Sequence, residues 1–320
     1  MTIRIGVIGA GIMGAEHARL IREEARGATL AAVCDADANR ARAAAGGGKA
    51  FTDPMALIGS DEVDAIVIAS PDSTHADLAI ACIAAGKPVL CEKPLGTTGA
   101  DCLRVVEAEA RSGKPLVHVG YMRRFDPAYG EMRDKGSDGM LGKPLLLHNI
   151  HRNQAAPDWF VGAMPLTNSF VHEIDISRWL LGEEFTHGSL RASKGNEPMM
   201  ITLETDKANL VSTEVFMNAA YGYHVHAELV CSGGTIAMAQ PSVTLTNQQN
   251  RHGHSFPGNW VPRFTEAYRR QMSAFVRFAG TGRLEGASAW DGYVATAIAE
   301  QLVPALGTRD TIEFKLAKRP

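Results

Sequence analysis

The sequence predicts an α/β protein: an N-terminal doubly wound parallel sheet, then a C-terminal α+β domain with a large, open, mostly antiparallel sheet. Three observations predict it. Up to about residue 120, short apolar runs without alternation are separated by segments rich in Ala, Leu, Arg and Glu. That is the mark of strands buried on both faces between amphipathic helices. Beyond Tyr121 apolar and polar residues alternate along successive strands, as in a sheet with one covered face. A glycine-rich turn also separates the first apolar run from the first helical segment, where an open α/β sheet places its first βα turn.

In the first domain, residues 1–120, the strands are IRIGVIG (3–9), TLAAVCD (29–35), VDAIVIAS (63–70), KPVLCE (87–92) and PLVHVG (115–120). The helices between them are AEHARLIREEA, ANRARAAA, HADLAIACIAAG and Thr98 to Ser112. Right-handed crossovers then wind the sheet in both directions. The second domain, residues 121–320, opens with a helix around Pro127–Lys135, a strand LLLHNIHRN (145–153) and a loop with Pro157 and Pro165. Leu166 to Gly182 reads as one amphipathic helix in which Asn168, His172, Asp175 and Trp179 fall near one face. Strands follow at 199–205, 209–219, 223–231, 234–239 and 242–247. A loop, QQNRHGHSFPGNW, leads to helices at about 263–279 and 288–306 and a last strand, TIEFKL.

Composition narrows the function. The 320 residues, 45% hydrophobic and 21% charged, are those of an ordinary globular protein long enough for two domains. A net charge of -3 argues against nucleic acid as a partner. No apolar run approaches the ~18 residues that span a bilayer, and glycines interrupt the N-terminus where a signal peptide would be apolar. No membrane partner and a cytoplasmic location are therefore expected. Cys34, Cys82, Cys91, Cys102 and Cys231 include no CxxC pair, which fits free thiols in a reducing compartment. Cys91 is read as a strand-buried small hydrophobe or, beside Glu92 and Lys93, as a reactive thiol. His224 and His226 share a strand face, and His252 and His254 lie in a loop. No further ligand completes either pair at metal spacing, so no metal site is expected.

Two motifs carry chemistry. In GAGIMG (9–14), Gly9 permits the tight turn, Gly11 the approach of a pyrophosphate, and Gly14 close helix–strand packing, with Ile12 and Met13 opening the helix. Asp35 ends the second strand, where an acidic residue meets adenosine ribose hydroxyls and repels a 2′-phosphate. The expected cofactor is NAD. Arg40 contacts the adenine edge or lies on a helix surface. The second motif is VLCEKPLG (89–96), at the C-terminal end of the fourth strand, where ligands of open α/β sheets bind. Lys93 there is either a proton-transfer group or a surface lysine in a βα loop. Glu92 would raise the pKa of Lys93 if close, so its side chain is expected to point elsewhere or to contact cofactor groups.

Together these motifs resemble the Gfo/Idh/MocA oxidoreductases, and within them the inositol 2-dehydrogenase branch. The resemblance spans nearly the whole chain and rests on GAGIMG, Asp35, ASPDSTH (69–75), CEKP (91–94), GYMRRFDPAY (120–129), HRN (151–153), VHEIDISRWLLG (171–182) and YGYHVHAELVCSGG (221–234). It implies a Rossmann domain and a substrate-binding, oligomerising domain, likewise a homotetramer, with the substrate between the domains. It implies that Lys93 and His172 act together in proton transfer. An Asp four residues before the His normally completes that group, and here the position is Asn168. Arg123, Asn153 and Tyr223 are implied to hold a polyol, with His151 and Asp175 as further polar candidates. Asp175 pairs with Arg178 or supports the His. Ser70, Pro71, Ser73 and His75 match the loop lining the nicotinamide.

The expected reaction is oxidation of a secondary alcohol of a cyclitol, with hydride passing to NAD. The alternatives are a pyranose dehydrogenase, a keto-sugar or keto-inositol reductase, or a catalytically impaired NAD-binding regulatory protein. A neutral Asn168 in place of Asp leaves Lys93 easier to deprotonate. It accompanies either a different polyol configuration or weaker activity on inositol.

Overall fold

The computed structural model describes residues 2–239 and 245–320, which form two compact units. The first takes residues 1–122, 267–297 and 317–320; the second takes 123–266 and 298–316. Residues 267–297, which the sequence reading places in a second domain of 121–320, fall in the first unit.

In the first unit the chain runs β1 (Ile3–Ile8), α1 (Ile12–Glu23), β2 (Ala28–Cys34), α2 (Ala38–Ala45), β3 (Lys49–Phe51) and α3 (Pro54–Ile58). It continues through β4 (Ala65–Ile68), α4 (His75–Ala84), β5 (Val89–Cys91), α5 (Gly99–Ser112) and β6 (Val117–Val119). The sheet order is β3-β2-β1-β4-β5-β6, all parallel. This is the doubly wound order, with its switch point between β1 and β4. The short β3 and α3 escape the sequence reading, because three strand residues make no run. Their local signal is the cap: Asp53 accepts the Met55 N–H, with Pro54 in the first turn.

The second unit begins with α6 (Pro127–Ser137), β7 (Pro144–Arg152), α7 (Val171–Leu181), β8 (Phe185–Ala192), β9 (Met199–Thr205) and β10 (Leu210–Phe216). It adds β11 (His224–Cys231), β12 (Gly234–Ala237), β13 (Thr246–Gln248), β14 (Arg251–Gly253) and α8 (Trp260–Arg263). The remaining elements are α9 (Thr265–Thr281), α10 (Ala289–Leu302), α11 (Ala305–Thr308) and β15 (Ile312–Glu313). The large sheet has the order β12-β11-β7-β10-β9-β8-β15. Only β7–β10 pair in parallel, so the sheet is mixed and mostly antiparallel as expected.

Three local expectations change. The first half of the expected strand at 242–247 lies outside the described residues, its last two residues open β13, and the β13–β14 hairpin runs on into the expected loop. β8 was not expected, because its buried Gly188 thins the apolar pattern. That glycine leaves room for Phe314, whose ring a Cβ would meet at 2.5 Å. The helix 166–182 is two pieces, a π-helical segment over Pro165–Phe170 and then α7, ended by Gly182 at φ +64. α7 is also not half-exposed: of its residues only Trp179 and the terminal Leu181 escape burial, and Trp179 stacks under Arg133 at 4.2 Å.

Of the helices near the C-terminus, α9 explains the domain division. Met272, Phe275, Val276 and Phe278 on its apolar face join one core with Ile3, Ile5, Val7, Val67 and Leu90 of the parallel sheet.

Candidate functional site

The first unit presents the glycine turn at the switch point. Gly9 adopts φ +93, and a Cβ there would lie 2.4 Å from the Ala69 carbonyl oxygen. A Cβ on Gly14 would strike the Gly9 oxygen at 1.9 Å. At Gly11, by contrast, a Cβ would meet nothing within 4 Å. Gly11 is the N-cap of α1 without a side-chain cap, and Ile12 beside it is 72% exposed. The helix N-terminus is thus open to a phosphate on the side where Gly11 leaves space. Asp35 is placed to complete a dinucleotide site. Its Oδ2 accepts the Ala10 N–H at 2.8 Å, and Oδ1 accepts the Asp37 N–H at 2.8 Å and Arg40 Nη2 at 2.9 Å. Burial alone would raise its carboxyl, but these N–H donors and the Arg40 charge hold it below the usual carboxylate range. Arg40 is therefore a partner of Asp35 at an exposed edge. These residues fit NAD.

Beyond β4, Ser70 Oγ bonds Thr74 Oγ1 at 2.6 Å, and Pro71 and Ser73 are exposed on a short 3₁₀ turn. His75 lies beneath that turn, 1% exposed, with both ring nitrogens on backbone carbonyls. Beyond β5, Lys93 is half-buried, and the Lys93–Pro94 peptide is cis. The Glu92 side chain is buried and bonded to His17 of α1, Nε2 to Oε1, at 2.8 Å. Its Oε1 thus turns toward α1, while Oε2 accepts the Lys93 backbone N–H at 3.3 Å. Burial alone would raise Glu92, yet the His17 hydrogen bond and neighbouring cations keep it ionised below its ordinary range. Cys91 is fully buried and burial pushes its thiol well up, so it is a strand hydrophobe and not a reactive thiolate.

The second unit assembles its own group around His172, at the start of α7 and 7% exposed. The His151 ring stands edge-on to His172 at 6.3 Å between centroids and to Tyr223 at 6.0 Å. His151 Nδ1 lies 3.0 Å from Glu173 Oε2 and 3.3 Å from Arg123 Nη2. Glu173 also forms an ion pair with Arg123, and both are 1% exposed. Burial opposes charge on each, but their mutual attraction, with His151, holds Glu173 below its usual range and keeps Arg123 charged. Burial pushes the Tyr223 phenol up. Asn153, at the end of β7, is half-buried, and its buried Oδ1 has no hydrogen-bond partner among the described residues. Asn168 is half-buried on the π-helical segment, one helical turn before His172. Such segments recur at functional sites.

His151, His172, Tyr223 and Arg123 are therefore brought together as a group. Asp175 is fully buried and receives the Arg124 guanidinium, Nε to Oδ2 at 2.9 Å and Nη2 to Oδ1 at 2.5 Å. Arg178 forks onto Glu184 at 2.6 and 2.7 Å. The residues that sequence reasoning missed are Glu173, Arg124 and His17, each a buried or partly buried partner of a residue it named. The available signal was charge: a Glu, an Arg and a His inside otherwise apolar motifs must find partners. No group of three or more His, Cys, Asp or Glu residues suited to a metal occurs among the described residues. None of the described helices is long and apolar enough to cross a membrane.

Comparison with known proteins agrees with this geometry. Residues 3–121 match the family described as "Oxidoreductase family, NAD-binding Rossmann fold", and residues 129–237 match the "GFO/IDH/MocA C-terminal domain". "Inositol 2-dehydrogenase 1" of Saccharopolyspora erythraea is 45% identical over 100% of this chain and 98% of its own. "Inositol 2-dehydrogenase" of Klebsiella pneumoniae subsp. pneumoniae is 37% identical, with the same coverage. The crystal structure of myo-inositol dehydrogenase from Lactobacillus casei in complex with NAD(H) and myo-inositol superposes with a TM-score of 0.94 at 28% identity. That match covers 100% of this chain and 99% of the other. With its glycine turn, its Asp35 and two matching domain families, the chain belongs to the Gfo/Idh/MocA family of NAD-binding oxidoreductases.

Proposed function

We propose that the protein is an NAD-dependent cyclitol dehydrogenase that oxidises a secondary alcohol of an inositol-type ring. The observation that carries this is the group around His172: an imidazole on a buried helix, flanked by His151 and Tyr223, with an Asn153 oxygen that lacks a partner. A hydroxyl-rich ring needs such fixed polar groups. The names of the full-length relatives, inositol 2-dehydrogenases at 45% and 37% identity, support the substrate class.

NAD supplies the hydride acceptor when bound. Gly9, Gly11, Ile12, Met13 and Gly14 receive its pyrophosphate at the start of α1, and Asp35 receives the ribose hydroxyls. Ser70, Pro71 and Ser73 border the nicotinamide. His172 takes the alcohol proton and Lys93, as the neutral amine, relays it. His151, Asn153 and Tyr223 hold ring hydroxyls. Arg123, ion-paired with Glu173, also holds His151 in place. Asp175 likewise serves by fixing Arg124. Asn168 replaces a carboxylate with a group that also donates, which adjusts the preferred hydroxyl configuration.

The test is NADH formation with NAD and a panel of cyclitols and pyranoses. Turnover confined to pyranoses would remove the cyclitol reading. Asn168→Asp is expected to change relative kcat/KM across the cyclitols. An unchanged ranking places Asn168 outside the site.

The proposed assembly is a homotetramer in the cytoplasm, closed through the open face of the large sheet. That face carries Met200 and Leu210, 49% and 43% exposed, in cross-strand rows with Glu214 and Leu146. Such apolar exposure favours association. Light scattering on the eluted protein is expected to give four times the chain mass. A monomer would overturn it.

A further inference from the structure

The segment Glu92–Lys93–Pro94 is braced by two buried histidines of its own unit. His17, fully buried, holds the Glu92 Oε1 at 2.8 Å. The other carboxylate oxygen, Oε2, accepts the Lys93 backbone N–H at 3.3 Å. Gly120 packs against it so closely that a Cβ there would lie 2.9 Å from Oε2. The carboxylate has no room to swing away. On the other side stands His75, 1% exposed, at the start of α4. Its Nδ1 lies 2.7 Å from the Pro94 carbonyl oxygen and its Nε2 2.8 Å from the Ser70 carbonyl oxygen.

Carbonyl oxygens only accept hydrogen bonds, and a neutral imidazole has a single N–H. In either neutral tautomer one ring nitrogen would turn its lone pair onto a carbonyl lone pair. That leaves two buried acceptors facing each other below 3 Å, an uncompensated repulsion. A ring with a proton on each nitrogen donates to both carbonyls.

We propose that His75 is held as an imidazolium that ties the Pro94 carbonyl to the Ser70 carbonyl, making it a positioning residue for Lys93. The clamp joins the two loops that follow β4 and β5, so the nicotinamide-side turn and the lysine move as one piece. The charge has a second effect. A cation beside Lys93 favours the neutral, proton-accepting amine. The charged groups around the clamp are Asp72 on the preceding turn, Glu92 and Lys93 after β5, and His17 behind Glu92. Asp77 on α4 is taken by Arg104 of α5 at 2.9 Å. Glu92, held by His17, is the buried anion of this segment.

The inference rests on the assignment of Lys93 to proton transfer, and its test separates the two. A neutron structure of the wild-type protein grown at about pH 8 reads the ring directly. Deuterium on both Nδ1 and Nε2 is expected, and one bare nitrogen overturns the proposal whatever the enzyme's activity. His75→Gln then reports on the lysine. Its kcat on the best cyclitol is expected to fall roughly ten- to a hundredfold. The acidic limb of its pH profile is expected to move to higher pH, because the lysine has lost a neighbouring cation. KM for the cyclitol is expected to change little. A wild-type pH profile in a folded His75→Gln protein overturns the positioning role. If the wild-type protein oxidises no cyclitol, the proposed function fails, while the neutron result still decides the state of His75.

Discussion

Lys93→Met removes the amine but keeps an unbranched stem of similar length, so cofactor binding should survive it. Turnover is expected to fall about 10²–10⁴-fold, with NAD affinity by fluorescence titration close to wild type. A variant with full turnover would remove Lys93 from the reaction. Glu173→Gln tests the pair beneath His151. It leaves Arg123 buried without its counter-charge, at an expected cost of about 3–5 kcal/mol in urea unfolding. The pH dependence has a definite sign. Glu173 is held below its ordinary range in the folded state, so its contribution is fully present above the unfolded value of about 4.3. It is lost as pH falls through the lower folded value, and the gap between wild type and Glu173→Gln should close there. A gap that stays constant on acidification counts against the ion pair. Lys93 and His172 stand out along the chain as candidates, because each sits in a distinctive run of neighbours. Glu173 does not. It follows His172 by one residue, about 100° around the helix, and its partner Arg123 is 50 residues earlier.

At the scale of elements, the glycine turn is the most legible feature, because only steric necessity explains glycine at 9 and 14. Gly14→Ala is expected to push α1 from the sheet, since its Cβ would stand 1.9 Å from a backbone oxygen that cannot rotate away. Overpacking of that kind costs about 1–3 kcal/mol, and NAD affinity should fall with it. An alanine variant that binds NAD as tightly as wild type would show that the turn does not set the site. Helices α2, α5 and α6 were equally legible from their composition; the structure adds that Asp37, Thr98 and Asp126 cap them, each accepting N–H groups of the first turn. The π-helical segment before His172 was not legible. Its hydrophobic spacing is compatible with an α-helix, and the extra residue per turn is decided by how Pro165 to Phe170 pack. Strand β8 was hidden for a related reason, since Gly188 is buried without an apolar side chain to signal it.

Across the whole molecule, the least legible decision is where α9 goes. Its apolar face says only that some sheet covers it; the core formed by Met272, Phe275 and Phe278 with the parallel sheet says which. Phe275→Ala should therefore destabilise the cofactor-binding unit by about 3–5 kcal/mol, seen as a lower midpoint and weaker protection by NAD. Residues 1–122 expressed alone should lack a cooperative transition, because the sheet face that α9 covers would be in water. A cooperative fragment would mean that α9 is dispensable. The sequence by itself determined the doubly wound sheet, the dinucleotide turn with Asp35, the mixed second sheet and the family. Those follow from local sterics, strand periodicity and motif order, which are written along the chain. Tertiary structure alone decided that α9 rejoins the first unit, that Arg123 and Asp175 are buried with Glu173 and Arg124, and that His75 faces two carbonyls. Each is a contact between distant segments, and burying a charge or an apolar face fixes that a partner must exist without saying which one it is.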